Sequence, residues 1–230
     1  MTENLNIRII GIGGVGTHLS EYLSRYFNYV KDLNVEMTLI DGDEFERKNH
    51  ERQTFTTYSN KGQTKCRELS VEFPNINHTF CRDYVTNDNI AGLIKSGDIV
   101  FVAVDNHKSR KIISDYCATL DDIILISGGN EYHDGNVQLY VRKEGIDRLP
   151  RITDYHPEIE KPADKLPTEL SCEEASVSEP QLLFANIGVA VLMTWTLYYV
   201  LNTEKLEYSE VYFDMMSISV LPKKRNLKNR

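Results

Sequence analysis

The chain has 230 residues, of which 41% are hydrophobic and 26% charged, enough for one α/β core and ordinary for a soluble globular protein. A formal net charge of -8 excludes a general nucleic-acid-binding surface over the body of the chain. Of the four cysteines, Cys66, Cys81, Cys117 and Cys172, no two form a CxxC pair, which argues against a disulfide framework and for a reducing, cytoplasmic setting.

The opening "MTENLNIRII" has no basic stretch followed by a long apolar run, so no secretory leader is expected. "NIRIIGIG" reads as a buried strand that ends in glycines. The loop "IIGIGGVGT" is a GxGGxG pattern, with Gly11, Gly13, Gly14 and Gly16. From Val15 onward, Leu19, Tyr22, Leu23, Tyr26 and Phe27 fall on one helical stripe. "VEMTLID" is a second strand that ends at Asp41, so the chain opens as half of a nucleotide-binding α/β unit.

Residues 62–73 read as a helix with Lys65 in its first turn, and "DIVFVAVDN" as a buried strand that ends at Asp105 and Asn106. A helix over 108–120 and the strands "DIILISGG" and "NVQLYVR" follow. Strands alternating with helices predict a Rossmann-like, doubly wound, mainly parallel sheet, with an antiparallel portion near the C-terminus. Five of the seven prolines fall within 143–180, which reads as a long, irregular, mobile crossover. Residues 182–201 carry no charge and are long enough to span a bilayer. Asn186, Gly188, Thr194 and Thr196 dilute the run, so the expectation is a helix buried in the core or at a subunit interface, with no membrane span. The strands "SEVYFD" and "SISVLP" close the fold, and the tail 223–230, with five basic residues in eight, reads as a solvated terminus. The predicted organisation is a single domain over 1–230: a nucleotide-binding core (1–142), the crossover (143–180), the apolar helix with the closing strands (181–222), and the basic tail (223–230).

Glycines at a strand-to-helix turn let the backbone approach a phosphate whose charge the helix N-terminus stabilises. An acid ending the next strand, Asp41, suits ribose hydroxyls. That pair fits NAD, FAD and ATP alike, so an NAD-dependent oxidoreductase remains a remote alternative. Arg52 and Lys65 narrow the choice, because two cations near a phosphate loop suit a triphosphate better than a pyrophosphate bridge. Asp105 ends a buried strand, where an acid can hold Mg2+ against phosphate oxygens.

The segments "GIGGVGT", "LIDGDEFERKNHERQ", "GQTK", "VAVDN" with Arg110, "GGNEYHDGNVQLYV" and "SCEEASVSEPQLLFANIGVAVLMTWTLYYVL" occur in the order found in the ThiF/MoeB/HesA family, relatives of the ubiquitin-activating enzymes, and the chain resembles that family from residue 7 to about 222. The resemblance implies an adenylyltransferase that uses ATP and Mg2+ to activate the C-terminal glycine carboxylate of a ubiquitin-like or sulfur-carrier protein as an acyl-adenylate. It implies that Gly11, Gly13, Gly14 and Gly16 lie under the nucleotide. Asp41, Asp43, Asn49, Gln53 and Asn106 then contact it, Arg52 and Lys65 hold the phosphates, and Asp105 holds the metal. It implies a homodimer formed through the face bearing the late apolar helix. It also places Cys172 where thiamine-type relatives carry a cysteine that takes the acyl group, although Glu169, Glu173 and Glu174 would raise the thiol pKa. A nucleotide-binding scaffold without catalysis is the alternative within the family.

Three departures qualify the resemblance. The absence of CxxC pairs predicts no structural zinc. The first strand begins near residue 6, leaving no room for the helical extension whose arginine reaches a neighbouring subunit's nucleotide in relatives. Asn136 stands where the family usually has Gln. Among the remaining residues, Cys66, Cys81 and Cys117 read as packing residues and His18, just past the glycine turn, as a helix-surface side chain, with approach to a phosphate as the alternative. His50 is given no role, and His133 and His156 read as loop residues with no metal spacing.

Overall fold

The computed structural model describes residues 3–169 and 182–228. Cys172, Glu173 and Glu174 therefore lie outside the described residues.

Strand β1 (Glu3–Ile10) pairs in parallel with β2 (Leu33–Ile40) on one side and β4 (Ile99–Val102) on the other. The register sets Ile10 beside both Ile40 and Val102, so three chain segments leave the sheet together at its carboxyl edge. Beyond β2 lies β3 (Asn77–Cys81), and beyond β4 lies β5 (Ile123–Asn130), both parallel to their neighbours. From β5 the sheet turns antiparallel through β6 (Asp134–Lys143), β8 (Glu210–Asp214) and β9 (Ser219–Lys223), with the short β7 (Ile146–Asp147) also on β6. Among the described residues the order is β3-β2-β1-β4-β5-β6-β8-β9, which is the mainly parallel sheet with an antiparallel C-terminal portion expected from the sequence.

Strand β4 is a continuous apolar run buried on both faces, as a parallel strand covered by helices must be, and the carboxyl halves of β1 (Ile7, Ile9, Ile10) and β2 (Met37, Thr38, Leu39, Ile40) are buried beside it. Helix α1 (Gly14–Phe27) and the long helix α6 (Leu183–Asn202) cover one face with part of α2 (Lys61–Glu72), packing Leu19, Leu23, Cys66, Leu69, Val189 and Met193 onto Ile7, Ile9 and Phe101. The short α3 (Ile90–Leu93) and α4 (His107–Cys117) cover the other, over Ile10, Val100 and Val102. The sequence pattern missed β3, whose "NHTFC" is polar and only partly buried at the sheet's edge, and α3, a single turn.

The crossover is more regular than its prolines suggest. It carries β7, a one-turn helix α5 (Pro157–Glu160) and a 3-10 turn at Pro167–Glu169. Helix α6 buries one side, Ala185, Asn186, Val189, Ala190, Leu192, Met193, Thr196 and Leu197. Its other side exposes Phe184, Trp195, Tyr198 and Leu201. By length and composition α6 could cross a membrane, yet its inner face is folded onto α1, β5 and β6.

Candidate active site

The loop between β1 and α1 sits where the strand order reverses, the usual ligand position in open α/β sheets. Its glycines divide the work. Gly11 has φ +90°, and a Cβ there would meet the Ala103 carbonyl oxygen at 2.7 Å. A Cβ on Gly16 would collide with the Gly11 carbonyl, so these two close the turn upon itself. Around Gly13 nothing lies within 4 Å of the Cβ position, which leaves the backbone there open to a ligand. Helix α1 starts at this point with no side-chain cap on its first turn.

Asp41 follows β2 and is buried. Its Oδ2 accepts the Ile12 N–H at 2.5 Å and its Oδ1 the Asp43 N–H at 2.8 Å, so it ties the glycine loop to the next strand end. Burial pushes its carboxyl up to about 6, with Lys61 pulling the other way. Asp43 bonds Lys61 Nζ at 2.9 Å and accepts the Tyr84 hydroxyl; burial raises its pKa, but Lys61 and Tyr84 outweigh that and hold it low. Lys61 went unnoticed in the sequence. It is buried, and its ammonium lies in the field of Asp41, Asp43 and Asp105, which together overcome desolvation and raise its pKa.

Asn49 is buried in a 3-10 turn (Arg47–Glu51), where its Oδ1 caps the Glu46 N–H at 2.8 Å. The turn delivers Arg52 and Gln53, whose Nε and Oε1 are buried without partners among the described residues. Lys65 is buried in the first turns of α2, with Nζ 2.8 Å from Glu68 Oε2 and 3.2 Å from the Thr54 carbonyl. An ammonium has three donors, so one remains for a phosphate. His18 is not a plain surface residue. Its ring hydrogen-bonds the Arg52 backbone, its Nε2 is buried without a partner among the described residues, and desolvation, helped by nearby Lys65, holds its pKa low. His50 stacks on Phe55 at 4.0 Å and belongs to an aromatic cluster with Phe45 and Tyr58.

Asp105 is exposed just past β4, and its charge is felt by Lys61, Tyr84 and Arg110. Asn106 caps α4, accepting the Ser109 N–H at 2.7 Å. Arg110 is buried and reaches the Ser127 hydroxyl (2.5 Å) and the carbonyls of Val104 (2.6 Å) and Gly128 (2.7 Å). It thereby fixes the strand ends beside Asp105, and burial lowers its pKa to about 10. No group of three or more His, Cys, Asp or Glu side chains is placed to hold a metal by itself among the described residues. An exposed carboxylate such as Asp105 nonetheless suits Mg2+, which keeps several waters and takes other ligands from a nucleotide's phosphates when one is bound.

The described crossover leads back to this edge. Asp164 accepts the N–H groups of His107 (2.5 Å) and Lys108 (3.1 Å) at the start of α4, and Lys108 Nζ lies 2.6 Å from Glu169 Oε2. Cys66 and Cys117 are buried, and burial pushes the Cys117 thiol up to about 12, as packing residues require; Cys81 is half-buried.

An edge with this distribution of charge suits a nucleotide polyphosphate better than a redox dinucleotide. The ThiF family model matches residues 2–226, and the chain belongs to that family. In sequence it is similar to the adenylyltransferase and sulfurtransferase MOCS3 of Drosophila willistoni, 28% identical over 144 residues, which cover 60% of this chain and 30% of that protein. The counterpart of Drosophila yakuba is 29% identical over 143 residues, with the same coverage. The chain thus spans about 30% of the length of these curated relatives. Among solved structures, E. coli MccB with MccA-N7isoASN superposes with a TM-score of 0.73 at 17% identity, covering 97% of this chain and 65% of that one. E. coli MccB with ATP gives 0.71 at 17% identity, covering 97% and 64%. PaaA gives 0.70 at 15% identity, covering 96% and 64%. At these identities the structural likeness concerns the fold.

Proposed function

We propose that the chain is an ATP-dependent adenylyltransferase that activates the C-terminal carboxylate of a peptide or carrier protein. The observation that carries this reading is the meeting of the open Gly13 backbone, Asp41, Arg52, Lys65 and Asp105 at one sheet edge. Attack of a carboxylate oxygen on the α-phosphorus, with pyrophosphate leaving, needs no side-chain nucleophile. Positioning and neutralisation of charge suffice. The start of α1 and the donors of Arg52 and Lys65 hold the phosphates, and Asp41 accepts from the ribose. Asp105 would hold Mg2+, which withdraws charge from the phosphate oxygens when bound. Its relatives support the reading, since MOCS3 is an adenylyltransferase and MccB has been crystallised with ATP and with MccA.

In the fuller form of this reading the carboxylate is the terminal glycine of a ubiquitin-like or sulfur-carrier protein. The acyl group then passes to Cys172, and two copies associate through α6. The anchoring of Asp164 and Glu169 beside Asp105 supports the second step, because Cys172 follows Glu169 by three residues. The exposed apolar side of α6 supports the third. A nucleotide-binding scaffold is the second reading, favoured by the engagement of Lys65 with Glu68.

ATP–pyrophosphate exchange with the small glycine-terminated proteins encoded beside this chain tests the proposal. Exchange that requires the terminal glycine and is lost in Asp105→Ala is expected. ATP binding without exchange for every such protein would leave only the scaffold.

A further inference from the structure

Asn186 lies in the second turn of α6 with 0% of its surface exposed, and neither of its amide atoms has a hydrogen-bond partner among the described residues. Buried polar groups are paired with few exceptions, and an unpaired amide costs free energy that an apolar side chain would not. Packing gives no reason for an amide here. Its buried neighbours on the helix, Ala185, Val189, Ala190 and Met193, are apolar.

Position supplies the reason. A Cβ on Gly14 would lie 2.6 Å from Asn186 Nδ2, 2.7 Å from Cγ and 2.8 Å from Oδ1, so the whole amide rests against the first residue of α1. That helix begins without a side-chain cap and with no acid in its first turn. Its leading N–H groups have no intrahelical acceptors and carry the positive end of the helix dipole. An unpaired donor and acceptor thus sit against Gly14, next to a turn whose preceding residue, Gly13, is open.

We propose that Asn186 is a nucleotide-contacting residue: Nδ2 donates to a phosphate oxygen held at the start of α1, and Oδ1 turns to the open first-turn N–H groups. The amide is left unpaired in the free protein and is satisfied only when the phosphate is in place. Helix α6, which otherwise serves the core and the outer apolar face, then supplies a group to the site. The inference rests on the ATP reading above and adds to it a residue outside the glycine loop and the cations.

The test compares the full-length wild type with Asn186→Ala and Asn186→Ser, using calorimetric titration with ATP and with ADP in the presence of Mg2+, and thermal melting without nucleotide. Asn186→Ala is expected to bind ATP at least about tenfold more weakly, the loss expected for one charge-assisted hydrogen bond. Its melting temperature without nucleotide should be unchanged or higher, because an unsatisfied group has been removed. Asn186→Ser, which keeps a small donor, should fall between. Affinity within twofold of wild type in both variants overturns the proposal, and so does failure of both to fold, which would assign Asn186 to packing. A wild type that binds neither nucleotide overturns the ATP reading and this inference together, whereas a wild type that binds beside variants that bind equally well overturns the inference alone.

Discussion

At the scale of single residues, the glycine loop separates binding from folding. Gly16 has no room for a methyl group because the Gly11 carbonyl occupies the place, while Gly13 has nothing within 4 Å. Gly13 also has φ -82°, so no positive φ there demands glycine. Gly13→Ala is therefore expected to melt within a few degrees of wild type and to lose ATP affinity, because its methyl projects into the space left for phosphate. Gly16→Ala is expected to lose at least about 3 kcal/mol of stability, since only a backbone shift relieves the clash. Melting curves and ATP titrations of the two variants check this; equal stabilities would show that the loop gives way at Gly16. The sequence made this loop legible, along with Asp41 and Asp105, because strand ends can be read from apolar runs. It did not reveal Lys61, and it preferred a helix-surface role for His18 over one near the phosphates. Lys61 joins the site because α2 lays it between Asp43 and Asp105, and His18 because the turn before α2 brings the Arg52 backbone to its ring. Both placements come from packing between segments dozens of residues apart, which no local pattern carries.

At the scale of elements, the root of the crossover is fastened by a buried ionic cluster that its sequence hides. His156 Nδ1 lies 2.9 Å from Glu158 Oε1 and its Nε2 3.1 Å from Glu210 Oε1. Arg225 Nε and the Tyr212 hydroxyl both reach Glu210 Oε2 at 2.9 Å. Tyr155 donates to the Asn226 carbonyl at 2.8 Å, and Arg225 stacks over its ring. The basic tail, read from the sequence as a solvated terminus, thus has Arg225 and Asn226 drawn onto β8 and the crossover. Burial alone would lower the His156 pKa, but Glu210 and Glu158 outweigh it and raise the value above 6.5. A raised folded-state pKa means that the imidazolium stabilises the fold fully below pH 6.5 and ceases to do so as pH rises through the folded value. Glu158 and Glu210 are held below 4.5, so their contribution is present above that pH and lost on acidification. His156→Gln should accordingly cost about 1.5–3 kcal/mol near pH 6, the range for hydrogen bonds to charged groups, and clearly less near pH 9. Denaturant unfolding at the two pH values decides the point; equal losses would mean that His156 acts by shape and not by charge. Prolines and acids marked 143–180 as irregular, and that pattern cannot show that one histidine meets a glutamate 54 residues away.

At the scale of the whole molecule, α6 is the element with two faces to satisfy. The inner one closes on the glycine loop and the sheet. The outer one leaves Trp195 61%, Phe184 65% and Tyr198 57% exposed, and with Tyr22, Tyr26 and Leu201 it borders a groove of about 260 Å³ between α1 and α6. Residues 182–201 read as an uncharged, largely apolar run, so the sequence signalled burial without saying which side the fold itself would cover. The structure divides the run and leaves an aromatic surface of the kind found at the centre of subunit interfaces. A second copy brings the same surface, and a two-fold axis through α6 would pair aromatic with aromatic and shield both grooves. Light scattering at micromolar concentration should therefore give twice the 26.5 kDa chain mass. Trp195→Glu, which sets a charge at the centre of this face without touching the core, should give a monomer that still melts cooperatively. A wild type that scatters as a monomer would end the dimer proposal. A dimer that survives Trp195→Glu would move the interface away from α6.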